Sequence, residues 1–238
     1  MTIVNQLAPT ITLAKGSHAS FEQGACLLEA VSYVAGESFT DSPQCASKIL
    51  GAFGRSLNDV LPDEKRQRLV PLVPLIVGTA GDGFDQERGL MAADWLIRVY
   101  TPTWLRLANL DEAAVSLESL PRQASWDDVE AAVPVVREAK RQAVAAGDAA
   151  WDAARVAARA AASAAGDAAW VAAGDAAWDA ARVAARVAAW ALAANAARVA
   201  SGAAAGAAAR VKLQPTVDLL QDSAIQLFEQ MVTLGRAA

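Results

Sequence analysis

The run Gly147-Asp148-Ala149-Ala150-Trp151-Asp152-Ala153-Ala154-Arg155-Val156-Ala157-Ala158-Arg159 recurs unchanged at 174–186, and its opening Gly-Asp-Ala-Ala-Trp occurs again at 166–170. Internal identity of this kind marks a repeated structural unit. Between residues 143 and 209, 38 of 67 positions are alanine, the best helix former, so the tract reads as helix. Wound at about 100° per residue, Asp148, Asp152, Arg155 and Arg159 fall within about 60° of one another. The charges therefore form one narrow stripe, with Asp152 and Arg155 paired at i,i+3. The rest of the circumference is almost entirely Ala, Val or Trp, and a helix of that kind must be covered on more than one side. Short methyl side chains let neighbouring helices approach at the near end of the usual range of about 8–10 Å between axes. Trp151, Trp170, Trp178 and Trp190 are the large anchors, each able to bury on the order of 150–250 Å². Gly suits a helix end and Asp the next N-cap, so a break is expected at Gly147, with Gly166 or Gly174 tolerated inside helix. Gly202 and Gly206 add a small-xxx-small step suited to close contact.

Helix signals continue on both sides of this tract. Toward the C-terminus, Val217, Leu220, Ala224, Leu227, Met231 and Leu234 follow 3-4 spacing and Gly235 closes the helix; the seam is read as bundle core, with an oligomer interface as the alternative. Toward the N-terminus, Ser125 and Asp128 form a capping box. Asp111 opens a short helix ending near Leu120-Pro121, and Pro102 another that holds Trp104, Leu105 and Leu107. Asp85 opens a helix with the stripe Leu90, Met91, Trp95, Leu96 and Val99. Residues 59–77 read as one or two helices interrupted at Pro71 and Pro74, and Gly78–Gly83 as a loop. Ser20 with Gln23 is read as the capping box of a helix stopped by Gly36, and Thr40-Asp41-Ser42-Pro43 as the start of a helix running to about Asn58. No run of alternating strand residues occurs. The expectation is an all-α protein, a multi-helix bundle with long Ala-rich helices packed closely in the C-terminal half. Its expected divisions are an N-terminal arm over 1–15, a helical N-terminal domain over 16–121, and an Ala-rich helical bundle over 122–238 packed on it.

The chain has 238 residues, is 54% hydrophobic and 20% charged, and so has ample material for a core and is not a disordered polymer. A net charge of −5 lacks the basic field that gathers nucleic acid or anionic lipid. The repeat tract carries five Asp (148, 152, 167, 175, 179) and five Arg (155, 159, 182, 186, 198), a balance that suits contacts between helices or subunits rather than a nucleic-acid stripe. Neither apolar stretch satisfies the requirement of about 20 mostly apolar residues for a membrane span. Residues 69–81 are too short and hold Pro71 and Pro74, and residues 187–209 are mostly Ala and Gly around Arg198. The first 15 residues lack the basic start, apolar run and cleavage site of a signal peptide, and two cysteines make no disulfide framework, so a cytoplasmic location is expected.

Reactive side chains concentrate early in the chain: His18, Cys26, Glu29, Glu37, Asp41 and Cys45. With one histidine and two cysteines, no four-ligand Cys/His zinc site can form within one chain. A metal site drawing on Cys26 and Glu29 one turn apart with His18 and Cys45, or a metal- or carboxylate-dependent hydrolase using His18, Cys26 and Glu29, is the alternative reading; the favoured one has the cysteines as small buried hydrophobes, Asp41 as a cap and His18 satisfying a turn. No catalytic residue, metal or cofactor is assigned. Gly78-Thr79-Ala80-Gly81-Asp82-Gly83-Phe84-Asp85 lacks the Walker lysine and the EF-hand oxygen spacing. A loop before a helix N-terminus can still hold an anion through free N–H groups. Asp82, Gly83, Asp85 and Arg88, together with His18 and Glu29, are therefore the candidate ligand-binding residues.

Gly16-Ser17-His18, Gly24-Ala25-Cys26-Leu27-Leu28-Glu29-Ala30-Val31, Ala35-Gly36-Glu37, Asp41-Ser42-Pro43-Gln44-Cys45, Leu57-Asn58-Asp59 and the loop 78–83 together resemble an uncharacterised Ala-rich helical protein family of actinobacteria and their phages, over roughly residues 16–110. The resemblance carries no established activity. It implies histidines near the positions held here by Phe39 and Ser42, and their absence removes donors from a metal site. The expected function is a non-catalytic helical binding or interaction protein, phage-linked, sequestering a host factor or a small anionic ligand. Its expected partners are a protein or that ligand, neither nucleic acid nor membrane, and the chain is expected to form a homo-oligomer. The alternatives are the hydrolase using His18, Cys26 and Glu29 and a structural assembly protein.

Overall fold

The computed structural model describes residues 11–107, 110–147 and 203–236. Both copies of the repeat beyond Gly147, the Gly-Asp steps at 166 and 174, the four tryptophans from 151 to 190 and most of the 1–15 arm lie outside the described residues. The protein is all-α. Among the described residues there is no strand, only an isolated parallel bridge between Leu13 and Ala25, and no helix is long and apolar enough to cross a membrane.

The chain divides into two compact units, Met1–Arg88 with Ala224–Ala238, and Gly89–Ser223. In the first, a single 3-10 turn, Phe21–Gln23, precedes α1 (Leu27–Ala35). The Ser20 side chain makes no capping hydrogen bond. The helix starts later than the Ser20/Gln23 reading has it, with Cys26 at the N-cap and its N–H donated to Glu29 Oε2 at 2.8 Å. Gly36 stops it in the left-handed conformation at φ 71°, where a residue without Cβ is favoured. The start expected at Thr40–Pro43 is also displaced: α2 (Lys48–Val60) begins after Ser47, whose hydroxyl accepts the Leu50 N–H at 3.3 Å. Pro62 then precedes α3 (Asp63–Arg66), a 3-10 segment (Gln67–Leu72) holds Pro71, and α4 (Val73–Ile76) holds Pro74. Proline removes the backbone donors that a single long helix needs here, hence the fragmentation.

α1 packs against α2 and α4. Their buried faces bring together Leu27, Leu28, Val31, Leu50, Phe53, Val73 and Ile76 with Ile225, Phe228, Met231 and Val232 from the end of the last helix. Phe53 and Phe228 stack with centroids 5.8 Å apart. Gly54 is the point of closest approach, since a Cβ there would stand 3.0 Å from Leu27 Cδ2 and from Phe228 Cζ.

A continuous helical stretch follows: α5 (Asp85–Trp95), a π-helical turn (Leu96–Tyr100) and α6 (Thr101–Leu107). Pro102 sits just inside α6 and does not begin a separate helix. In the second unit α6 packs on α7 (Asp111–Glu118), and α7 on α8 (Trp126–Gly147). The Ser125/Asp128 box forms reciprocally, Ser125 N–H to Asp128 Oδ2 at 2.9 Å and Asp128 N–H to Ser125 Oγ at 3.2 Å. α8 buries Val129, Ala132, Val136, Ala139 and Ala143, each no more than 1% exposed. These positions alternate steps of three and four, the seam of closely packed helices. The last helix, α9 (Ala203–Thr233), runs through Pro215. Leu220, Ala224, Leu227 and Met231 of its expected seam are buried within the chain, and Gly235 follows at φ 72°.

Candidate functional site

The candidate residues fall into two hydrogen-bonded networks, both within the first unit. The first is built on Glu29, in the first turn of α1 and 1% exposed. Its Oε1 accepts the His18 N–H at 2.7 Å, and its Oε2 accepts the Cys26 N–H at 2.8 Å and meets His18 Nδ1 at 2.8 Å. Burial pulls the Glu29 carboxyl upward, but the N–H groups of Cys26 and His18 and the His18 ring outweigh it and hold the group below its usual range. With Glu29 ionised, the proton shared in this contact sits on Nδ1, which donates to Oε2. The ring lies against Gly24, where a Cβ would come within 2.8 Å of His18 Cδ2, and Gly24 has φ 129°. That glycine lets the 17–24 loop fold back over the start of α1. Burial pushes the Cys26 thiol up to about 12, helped by the adjacent Glu29 charge, which favours the neutral thiol over the thiolate.

The second network is built on Arg88, whose side chain is 0% exposed. Its guanidinium donates to Asp82 Oδ1 at 2.8 Å and Oδ2 at 2.6 Å, to Asp85 Oδ1 at 3.3 Å, and to the Met231 carbonyl at 3.0 Å. Asp82 also accepts the Phe84 N–H at 3.1 Å. Burial raises the Asp82 carboxyl, and Arg88 together with that N–H more than offsets it, leaving the group below its usual range. Gly83 contributes only its backbone, at φ 87°. Ser47 Oγ bonds Asp85, which links the start of α2 to the start of α5.

The glycine-rich loop is closed by its own contacts. Gly78 and Ala80 donate to the Cys45 carbonyl, each at 3.0 Å, and Thr79 N–H returns to Ile76. The Thr79 hydroxyl accepts Ser47 N–H at 2.9 Å. Glu37 caps the facing turn, accepting from Gln44 N at 2.7 Å and Cys45 N at 2.8 Å. The Cys45 thiol is raised by burial and by the Glu37 carboxylate. At the start of α5, where a bound anion would gain most from exposed N–H groups, the chain supplies Asp82.

Two amides for which the sequence suggests no role complete the unit's polar framework. Gln67 Oε1 accepts Leu13 N–H and Gln67 Nε2 donates to Leu13 O, both at 2.9 Å. Asn58, wholly buried, accepts Leu27 N–H at 3.1 Å and donates to Ala14 O at 2.9 Å. An amide in a helix looks like an ordinary surface residue until its distant partner is known. Among the described residues no group of three or more His, Cys, Asp or Glu side chains is placed to hold a metal ion. No family model, curated protein or solved structure matches this chain.

Proposed function

We propose that the chain is a non-catalytic interaction protein whose partner is another protein, a second copy included. The observation that carries this reading is that its candidate reactive groups are already engaged by the chain itself. Glu29 receives hydrogen bonds from His18 and Cys26, Arg88 is consumed by Asp82, Asp85 and Met231, and both thiols are held neutral by burial. Groups so committed brace a fold; a small anion at the Asp82–Arg88 loop would first have to displace Asp82. The surplus lies in helix-packing material, the charge-balanced Ala/Trp/Arg tract of 143–209, which suits a close-packed C-terminal bundle and contacts between helices of different chains. In actinobacteria or their phages, the setting the family resemblance implies, sequestration of a host factor in the cytoplasm is the form such binding would take.

Native mass spectrometry of the protein purified from its natural host tests the reading. A stoichiometric protein complex or homo-oligomer, with no turnover of ester, phosphoester or amide substrates, is the expected result. Hydrolysis that disappears in His18→Ala and survives in Arg141→Ala would replace it with a second reading, a carboxylate-assisted hydrolase. One feature favours that alternative: the Glu29–His18 pair orients the ring as in acid–base dyads, and no hydrogen bond occupies Nε2 among the described residues.

A further inference from the structure

Residues 11–16 cross the first unit as a strap, and almost everything that holds it there reads backbone. Ile11 and Leu13 are buried at 6% and 2% exposure, and Thr12 between them is exposed, the alternation of an extended peptide laid on an apolar surface. Gln67 pairs with both the N–H and the carbonyl of Leu13, as a neighbouring strand would. Asn58 Nδ2 donates to Ala14 O at 2.9 Å, Ala14 N–H donates to Ala25 O at 2.8 Å, and Asp59 Oδ1 accepts Gly16 N–H at 2.9 Å. Five main-chain groups on three residues, Leu13, Ala14 and Gly16, are satisfied, four of them by side chains of α2 and the 3-10 segment after α3. Side-chain amides that pair with a peptide backbone do not depend on the peptide's own side chains; burial of the apolar side chains at alternate positions 11 and 13 supplies the selectivity. This is the logic of strand addition, with helical side chains in place of a sheet edge.

We infer that this groove is an interaction site for an extended segment, filled here in cis by residues 11–16, and that the partner it fits is the same segment of a second copy. Resting on the interaction reading above, this names the partner and the surface. The strap is joined to the rest of the unit through Gly16, which has φ 84° and no heavy atom within 4 Å of where a Cβ would stand. Gly16 thus sits in a left-handed conformation in open space, where the strap leaves the loop, while His18 is anchored to Glu29 just beyond it. Exchange between copies re-forms every bond of the cis arrangement, so its cost is confined to the connecting residues and to association, the usual condition for swapped dimers.

Complementation between two full-length variants tests this. Gln67→Ala damages the groove and leaves the strap intact; Leu13→Asp damages the strap and leaves the groove intact. Mixed in equal amounts, the first should donate its strap to the second. Native mass spectrometry should then show a heterodimer at least ten-fold above the statistical level set by either variant's own dimer. A heterodimer at the statistical level overturns the inference. Circular dichroism checks that each variant is helical; if Leu13→Asp is not, Leu13→Ala takes its place. A labelled peptide of residues 11–16 supplies a second readout. It should bind the strap variant saturably and bind the Gln67→Ala/Leu13→Asp double variant at least ten-fold more weakly, and equal binding to both overturns the inference. Failure of exchange with wild-type complexes intact removes only the groove, whereas hydrolysis dependent on His18 removes the interaction reading and leaves the groove to its own result.

Discussion

In the unit built from Met1–Arg88 and Ala224–Ala238, buried cations leave their own helical turn to satisfy backbone carbonyls, in one case 143 residues away. Arg66, 3% exposed, donates to the carbonyls of Asn58 and Leu61 at 2.7 Å each, and Arg88 reaches the carbonyl of Met231. Along α8 the polar side chains stay at home: Arg141 and Gln142 both turn to Glu138, three and four residues back, at the surface. The first region has short helices cut by Gly and Pro, whose ends expose carbonyls and N–H groups that something must satisfy. The second is one helix of 22 residues, whose interior backbone satisfies itself and whose buried face is Val and Ala. Removing a polar side chain should therefore orphan buried backbone in the first region and do almost nothing in the second.

The most damaging test of that contrast is Arg88→Met. It leaves the Met231 carbonyl without its donor and Asp82 without its counter-charge. Breaking a buried ion pair by removing one partner costs about 3–5 kcal/mol, and the lower part of that range is expected because Asp82 keeps some access to water. Urea unfolding of the full chain should show a much lower midpoint. A loss no larger than that of a surface substitution would erase the distinction between the two regions.

Next comes Glu29→Gln, which keeps the shape and removes the charge. Hydrogen bonds to a charged group are worth about 1.5–3 kcal/mol, and a loss of that order is expected at neutral pH. The sign of the pH dependence follows from the folded-state pKa of Glu29, which lies below its ordinary value of 4.5. Its contribution is fully present above that unfolded value and is lost as pH falls through the depressed folded one. In Glu29→Gln this acid-side loss should be absent, so the urea midpoints of variant and wild type should converge between pH 5 and the acid limit. Parallel curves would show that Glu29 is not ionised in the fold.

What the residues announced in advance was local. Gly36 as a helix stop, Asp111 as a start, Pro71 and Pro74 as breaks, the Ser125/Asp128 box and the seam from Leu220 to Met231 all depend on neighbours within a turn or two. Two helix starts were misplaced for the complementary reason. Cys26 is not a residue type associated with an N-cap, and it serves as one because Glu29 turns back to its N–H. Thr40–Pro43 carries the stronger local start signal, yet Ser47 is the cap, its environment completed by Thr79 and Asp85, 32 and 38 residues away. The candidate site was legible as a list and not as an arrangement. His18 and Glu29 were named together, and they meet. Arg88 reads in the sequence as a donor to an outside anion, and in the fold its donors are turned on Asp82, Asp85 and a carbonyl 143 residues away. The roles of Gln67 and of Asn58, the latter part of the stretch Leu57-Asn58-Asp59, have no local signature, because an amide acquires meaning only from the backbone it pairs with.

Within α2 a pair of glycines probes packing without touching charge. A methyl at Gly54 would meet Leu27, Leu28 and Phe228 at 3.0–3.1 Å, so Gly54→Ala should overpack the core and cost about 1–3 kcal/mol. At Gly51 the nearest atom is the flexible Arg55 Nη1 at 3.6 Å. Gly51→Ala should instead stabilise by about 0.5–1 kcal/mol, the gain of alanine over glycine in a helix. Opposite signs three residues apart in one helix, read as midpoints in urea, would locate the tight face of the first unit; equal signs would mean that Phe228 does not lie against Gly54.

The smallest expected effect belongs to α8. Arg141 is 77% exposed and its partner Glu138 44%, so water and salt screen the pair and both side chains give up rotamer freedom to meet. Arg141→Ala also exchanges one good helix former for the best one. These terms oppose each other, and the urea midpoint of the variant should be indistinguishable from wild type at low and at high salt. A clear loss at low salt that vanishes at high salt would give the exposed pair structural weight. The long helix would then depend on its polar surface as the short ones do, and the difference between the two regions would be one of degree.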